Sequence, residues 1–271
     1  MPWSKMKNII LVILAATNLA LLILVGGRAI QGSRLLSQAR EDSIQFLRSR
    51  GIETDESVIP QSMDLRPQIV ERDLAGEERA ASILLDGPVS VQARGGEVYR
   101  YFNEKGSVQF HSDGTISAQL EKGALSLGQD RSAGCLALME RMGLEGVILK
   151  EEKDRLIFQQ TWKGSPLFTQ QMTLVCQDGD LVAITSGRQM MGKPQEDAAR
   201  ETISVATALI NFFNGVGTLG DVCNRIDAIE PGYSVSVSLS GPAILTPVWR
   251  VTTDTGAYQL DTVTGGVTRV S

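Results

Sequence analysis

The sequence predicts an α+β protein in which one N-terminal transmembrane helix precedes an extracytoplasmic ectodomain of repeated helix-plus-antiparallel-sheet units. Three observations carry this. Residues 8–27 form a run of 20 residues without a charge, enough at about 1.5 Å per helical residue to cross one bilayer core. Four short alternating segments between Val89 and Leu120 are separated by Gly95-Gly96, Asn103-Glu104-Lys105-Gly106 and Asp113-Gly114, the turn chemistry of an antiparallel meander. The order of one helix and then strands recurs twice after residue 126.

The elements follow in chain order. Residues 1–7 read as a short cytoplasmic tail and 8–27 as the membrane span. The apolar run is longer than the 7–15 residues usual for a signal h-region, which favours an uncleaved anchor even though Gly27-Arg28-Ala29 resembles a cleavage site. Asn18 stands at the middle of the span, where its amide needs a partner that a second transmembrane helix can supply. Residues 28–40 read as a juxtamembrane helix or linker, and the helix continues to Arg50 with Ile44 and Leu47 on one face before Gly51 stops it. An extended stretch Ile52–Ile59 ends at Pro60, residues 61–76 read as loop, and Glu77–Leu85 as a short helix. With the meander these make a first lobe, 41–125.

The second lobe, 126–271, holds two units. Asp130 or Ser132 caps a helix running through Leu136, Met139 and Met142 to Gly143, followed by strands near Val147–Leu149, Arg155–Trp162, Leu167–Cys176 and Leu181–Ser186, with Asp178-Gly179 as a hairpin turn. A further helix runs through the apolar stripe Ile203, Ala206, Ile210 and Phe213, and strands follow at Ser234–Leu239, Ile244–Thr253, Ala257–Thr262 and Val267–Val270.

Composition argues against nucleic acid as a partner. Of 26 Lys+Arg against 31 Asp+Glu, residues 1–27 hold Lys5 and Lys7 and no acid, so the rest of the chain carries a net −7 and shows no basic face. Gly215-Val216-Gly217-Thr218-Leu219-Gly220 matches G-x-G-x-x-G, but a helix precedes it and a strand follows, the reverse of a dinucleotide site, so it reads as a helix-ending turn. Ser4-Lys5-Met6-Lys7 matches S-x-x-K in a tail too short to build an active site. The single histidine, His111, excludes paired-imidazole metal sites and reads as a solvated hairpin residue. Cys135, Cys176 and Cys223 are too far apart in sequence for C-x-x-C chemistry; the first two fit buried small hydrophobes, and one disulfide stays open. Glu151-Glu152-Lys153-Asp154 reads as a solvated turn, and Trp162 and Trp249 as core. No catalytic set, cofactor site or metal site emerges, so the chain is expected not to be an enzyme.

Both ends of the sequence carry a resemblance. Met1-Pro2-Trp3-Ser4-Lys5-Met6-Lys7, the apolar run with Asn18-Leu19, then Ser43-Ile44-Gln45-Phe46-Leu47-Arg48-Ser49-Arg50-Gly51-Ile52 and Ile59-Pro60, resemble the start of YycI-type proteins. Thr246-Pro247-Val248-Trp249-Arg250-Val251-Thr252-Thr253, with Tyr258-Gln259-Leu260-Asp261 and Thr264-Gly265-Gly266-Val267, resemble their closing strands and the PepSY-related pattern. The resemblance implies a non-enzymatic, single-pass membrane protein with its N-terminus in the cytoplasm. Its implied role is to modulate a cell-wall-responsive sensor histidine kinase of the YycG (WalK) type, together with a YycH-type protein. Asn18, Trp3, Ser4 and Lys5 are then the candidate transmembrane interaction residues. The alternative expectation is an anchored or secreted PepSY-like inhibitor or chaperone of an extracellular protease or wall hydrolase.

Overall fold

A computed structural model describes residues 34–237 and 241–270. The expected span at 8–27 and the candidates Trp3, Ser4, Lys5 and Asn18 lie outside the described residues. Among the described residues no helix is long and apolar enough to cross a membrane.

The class is α+β, with four helices and a 15-stranded mixed sheet among the described residues. Helix α1 covers 34–49, and Gly51, at φ +86°, ends it as the sequence predicts. Strands β1 (Glu53–Thr54) and β2 (Gln68–Val70) follow. Helix α2 (Leu74–Leu84) is capped by Asp73, whose carboxylate accepts from the Gly76 amide at 2.8 Å. The meander is β3 (Ser90–Ala93), β4 (Tyr99–Asn103), β5 (Gly106–Phe110) and β6 (Ile116–Leu120). Asp130, and not Ser132, caps α3 (Arg131–Arg141), accepting from the Ala133 amide at 2.9 Å; Ser132 instead donates to Glu151.

Four antiparallel strands come next: β7 (Gly146–Glu151), β8 (Arg155–Trp162), β9 (Ser165–Gln177) and β10 (Asp180–Gly187). The β9–β10 turn sits on Asp178 at φ +54° and Gly179 at φ +91°, the left-handed pair that a two-residue hairpin requires. The chain closes with β11 (Gln195–Glu196), α4 (Val205–Thr218), β12 (Arg225–Val237), β13 (Ala243–Thr253), β14 (Gly256–Asp261) and β15 (Val267–Val270).

The strands divide into two lobes. An inner lobe runs β7-β8-β9-β10-β6-β5-β4-β3, and its core joins α2 and α3 to the sheet through Leu84, Leu85, Phe110, Cys135, Met139, Phe158 and Leu174. A terminal lobe is built on the long β12–β13 ladder, flanked by β14–β15 and by β2 and β11 on one side and by β1 on the other. Its core combines Ile44, Leu47, Ile52 and Ile59 with Val205, Leu209 and Phe212 of α4 and Trp249, Tyr258 and Leu260 of the sheet. Residues 44–59 therefore share a core with 205–260, while residues 80–191 supply another. The physical reason is that the Ile44/Leu47 stripe needs an apolar partner, and α4, which is apolar on more than one side, supplies it.

That same property explains a phase error. The helix buries Val205, Ala208, Leu209, Phe212 and Val216, whereas Ile210 of the predicted stripe is 41% exposed. Phe213 turns toward α1 and meets Phe46 edge-on at 5.8 Å. Two further corrections concern extended segments. Strand β2 lies within the stretch 61–76 that was expected to be loop, and β12 begins at Arg225, nine residues before the predicted Ser234. Pro231 and Gly232, residue types that disfavour strands, are paired across from Trp249 and Val248, and the missing side chain of Gly232 leaves room for the Phe168 ring.

Gly134 yields a stability prediction. It lies inside α3, where Ala ordinarily favours a helix by about 0.5–1 kcal/mol, but a Cβ there would run into the Leu127 carbonyl oxygen and its carbonyl carbon. Gly134→Ala is therefore expected to lower stability by about 1–3 kcal/mol in denaturant unfolding. Equal or greater stability would show that α3 can move off Leu127.

Candidate functional site at the junction of the lobes

Strand β9 belongs to both lobes. It pairs with β8 and β10, and at Leu167 it also runs parallel to β12 through Tyr233. Around this crossing lies a third apolar cluster of Val70, Leu167, Met190, Tyr233, Val235 and Leu245. Polar groups are placed next to it by three local devices.

The first is the start of α2. The Asp73 cap sets the first turn so that Glu77, 1% exposed, points inward, and Arg72 closes on it with Nε donating to Oε1 at 2.7 Å and Nη2 to Oε2 at 3.0 Å. Arg72 also donates from Nη1 to the Glu97 carbonyl at 2.8 Å and stacks over the Tyr99 ring at 5.3 Å. Burial holds the Glu77 carboxyl above the usual carboxylate range, outweighing the pull of Arg72.

The second device is the β5–β6 hairpin. Gly114, at φ +80°, lets the turn approach the segment after β10, where its carbonyl accepts from the Gln189 amide at 2.9 Å. A Cβ at Gly114 would stand 2.7 Å from the Gln189 carbonyl oxygen. The third is Gln160 of β8, buried and used as a substitute strand partner: its Nε2 donates to the Met190 carbonyl and its Oε1 accepts from the Met190 amide, both at 2.9 Å. Together they enclose a cavity of about 70 Å³ lined by Arg72, Glu77, His111, Gln170, Gln189 and Met190, with Val237 and Ala243 of the terminal lobe on the far side. A larger cavity, about 430 Å³, lies beside Trp249 under residues 60–65.

The other sequence candidates are dispersed. His111, expected on a solvated hairpin, is half-buried at the junction cavity. Trp249 is core at 2% exposure, and Trp162 packs at the edge of the third cluster. Cys135, Cys176 and Cys223 are free thiols; burial pushes Cys135 up to about 12 and raises the other two as well. Gly215 and Gly217 lie inside α4, so the expected turn is confined to Gly220 at φ +78°, and Gly215 serves to admit Val267 against the helix. Glu151 receives hydrogen bonds from Arg131 and Ser132, which lower its pKa, and Glu152 is paired with Lys150 at the surface. Among the described residues no group of three or more His, Cys, Asp or Glu is placed to hold a metal ion.

The sequence reading missed Arg72, Glu77, Gln170 and Gln189 as a group. One signal was available. Gln170 falls in phase with Phe168, Met172, Leu174 and Cys176, the buried positions of β9, so strand alternation alone turns this amide into the interior.

No protein-family model and no curated protein matches the chain. Among the solved structures that align with the chain, two show the extent of the similarity. One is an uncharacterized protein from Eubacterium rectale ATCC 33656, 10% identical, covering 76% of this chain and 86% of its own, with a TM-score of 0.42. The other is the C-terminal domain of Bacillus megaterium YpeB, 11% identical, covering 74% of this chain and 99% of its own, with a TM-score of 0.35.

Proposed function

We propose that this chain is a membrane-anchored, non-enzymatic regulatory adaptor, with its N-terminus cytoplasmic and its lobes extracytoplasmic, that modulates a cell-wall-responsive sensor histidine kinase. The observation that carries the reading is the way α1 is built in. Six residues, 28–33, separate the end of the apolar run at Gly27 from position 34. From there α1 leads directly into the terminal core: Ile44 and Leu47 are 1% and 0% exposed. Arg40 fixes the following loop by donating to the Pro60, Glu56 and Ile59 carbonyls at 3.1, 2.8 and 2.8 Å. A tether needs only length, whereas a helix packed into the core passes displacement of the lobe to the anchor. Regulation then arises from differential affinity of the anchored chain for two states of the kinase.

Within the membrane, the Asn18 amide offers a hydrogen bond to a neighbouring helix, with Trp3, Ser4 and Lys5 at the cytoplasmic boundary. A YycH-type protein is the second expected partner. Asn18→Leu is expected to reduce co-purification with the kinase several-fold and to change expression of its target genes at equal chain abundance. Unchanged association and output would remove Asn18 from the mechanism.

A second reading, an anchored or released inhibitor or chaperone of an extracellular protease or wall hydrolase, is favoured by β3. All four of its residues are exposed, and its outer edge pairs with no strand among those described. An extended segment of a partner can add there by main-chain hydrogen bonds. This reading requires a soluble form lacking residues 1–33 to carry the whole activity; the adaptor reading requires that form to be inactive on the kinase.

A further inference from the structure

We propose that the junction cavity is a binding site for a small neutral amide group, a carboxamide or acetamido head, held between Gln170 and Gln189. Three observations lead there, independent of which protein partner the chain serves.

The first is an unmet polar group. Gln189 is 3% exposed and lines the cavity, yet its Oε1 has no hydrogen-bond partner among the described residues. Burying an unpaired amide oxygen is costly, so its retention beside a cavity points to a partner that donates a hydrogen bond. Gln170, 2% exposed, lines the same cavity from β9 with its Nε2 close to Gly114. Two side-chain amides therefore meet the space, and an amide can rotate to present its donor or its acceptor. Between them they match a ligand that both donates and accepts.

The second observation is charge. Arg72 and Glu77 already neutralise each other at 2.7 Å. The remaining charge, the Glu97 carboxylate 3.9 Å from Arg72, is 61% exposed at the mouth, so an ion placed in the interior between the two glutamines would lose its hydration without a buried counter-ion to receive it, which favours a neutral guest there. The third is size. About 70 Å³ exceeds two waters at roughly 30 Å³ each, room for a planar amide carrying a methyl group, while Met190, Val237 and Ala243 supply the apolar contact that the methyl needs. The remainder of the ligand would lie at the mouth by His111 and Glu97.

The test uses the full chain in lipid nanodiscs, titrated separately with N-acetylglucosamine and with N-acetylalanine amide, and with glucosamine and acetate as charged controls. Saturable binding and a raised Tm are expected with at least one acetamido probe and with neither control. The probe that binds identifies a sugar-borne or a peptide-borne amide. Gln189→Met is expected to weaken binding about tenfold, the worth of one buried hydrogen bond, and Gln170→Met should do the same where the first variant does not fold. Failure of both acetamido probes, equal binding of the charged controls, or binding unaffected by both substitutions would each overturn the proposal.

Discussion

Replacing Arg72 by Met is expected to destabilise the protein by about 3–5 kcal/mol at neutral pH, because it leaves Glu77 buried without its counter-ion. The Glu77 side chain is 2% exposed, whereas Arg72 at 23% keeps contact with solvent. The loss depends on pH with a definite sign. A carboxyl whose folded pKa lies above its unfolded value contributes fully below the unfolded pKa and loses that contribution as pH rises through the folded one. Glu77 already lies on that side through burial, and removing Arg72 raises it further. The deficit of the variant is therefore largest near pH 7 and shrinks as the pH is lowered toward about 5. Adding Glu77→Gln to Arg72→Met should recover most of the loss, since a neutral amide needs no counter-ion. Denaturant unfolding of the three proteins at the two pH values checks this. A deficit that is flat in pH would mean that water reaches the Glu77 carboxylate.

Leu47→Ala is expected to cost about 2–5 kcal/mol, the range for emptying a fully buried leucine site, because Leu47 is 0% exposed between α1 and α4. The location of the damage matters more than its size. Hydrogen exchange should quicken first at residues 43–50 and along the facing side of α4, leaving α2 and α3 protected, since the inner lobe has its own core. Leu35→Ala, at a position 63% exposed, should change stability by no more than about 0.5 kcal/mol. Equal effects of the two substitutions would show that α1 is a tether and not part of the terminal core.

How much of this was legible follows from the kind of signal each element gives. The hairpins were readable because their turns are chemically specific: Asp178, Gly179 and Gly114 take left-handed backbone, and the strands beside them fall within two residues of the reading. Helix α3 was readable from its cap. Helix α4 was readable as a helix but not in phase, because Ile210 and Leu209 are equally apolar and only the tertiary neighbours, the sheet and Phe46 of α1, decide which is covered. Strand β12 was cut short because Pro231 and Gly232 carry breaker chemistry, and the Phe168 ring that occupies the space over Gly232 comes from a distant strand.

The grouping of α1 with the C-terminal strands was not legible at all. Ile44 and Leu47 announce a buried face without naming its partner. The junction site was hidden for the same reason. Arg72 and Glu77 are close in sequence and look like a surface pair. Only the placement of β2, β9 and the Gln189 segment around them makes that pair buried and turns Gln170 and Gln189 toward a common space.

The proposed coupling of α1 to a membrane anchor is tested most directly by a flexible Gly-Ser insertion between Ile30 and Gln31, with kinase target-gene expression read at matched amounts of membrane-bound chain. The insertion leaves the apolar run and both lobes intact and lengthens only the segment between them. If α1 transmits displacement, output moves to the level seen when the gene is deleted, while the chain remains in the membrane fraction. Output unchanged from the uninterrupted chain would contradict the account.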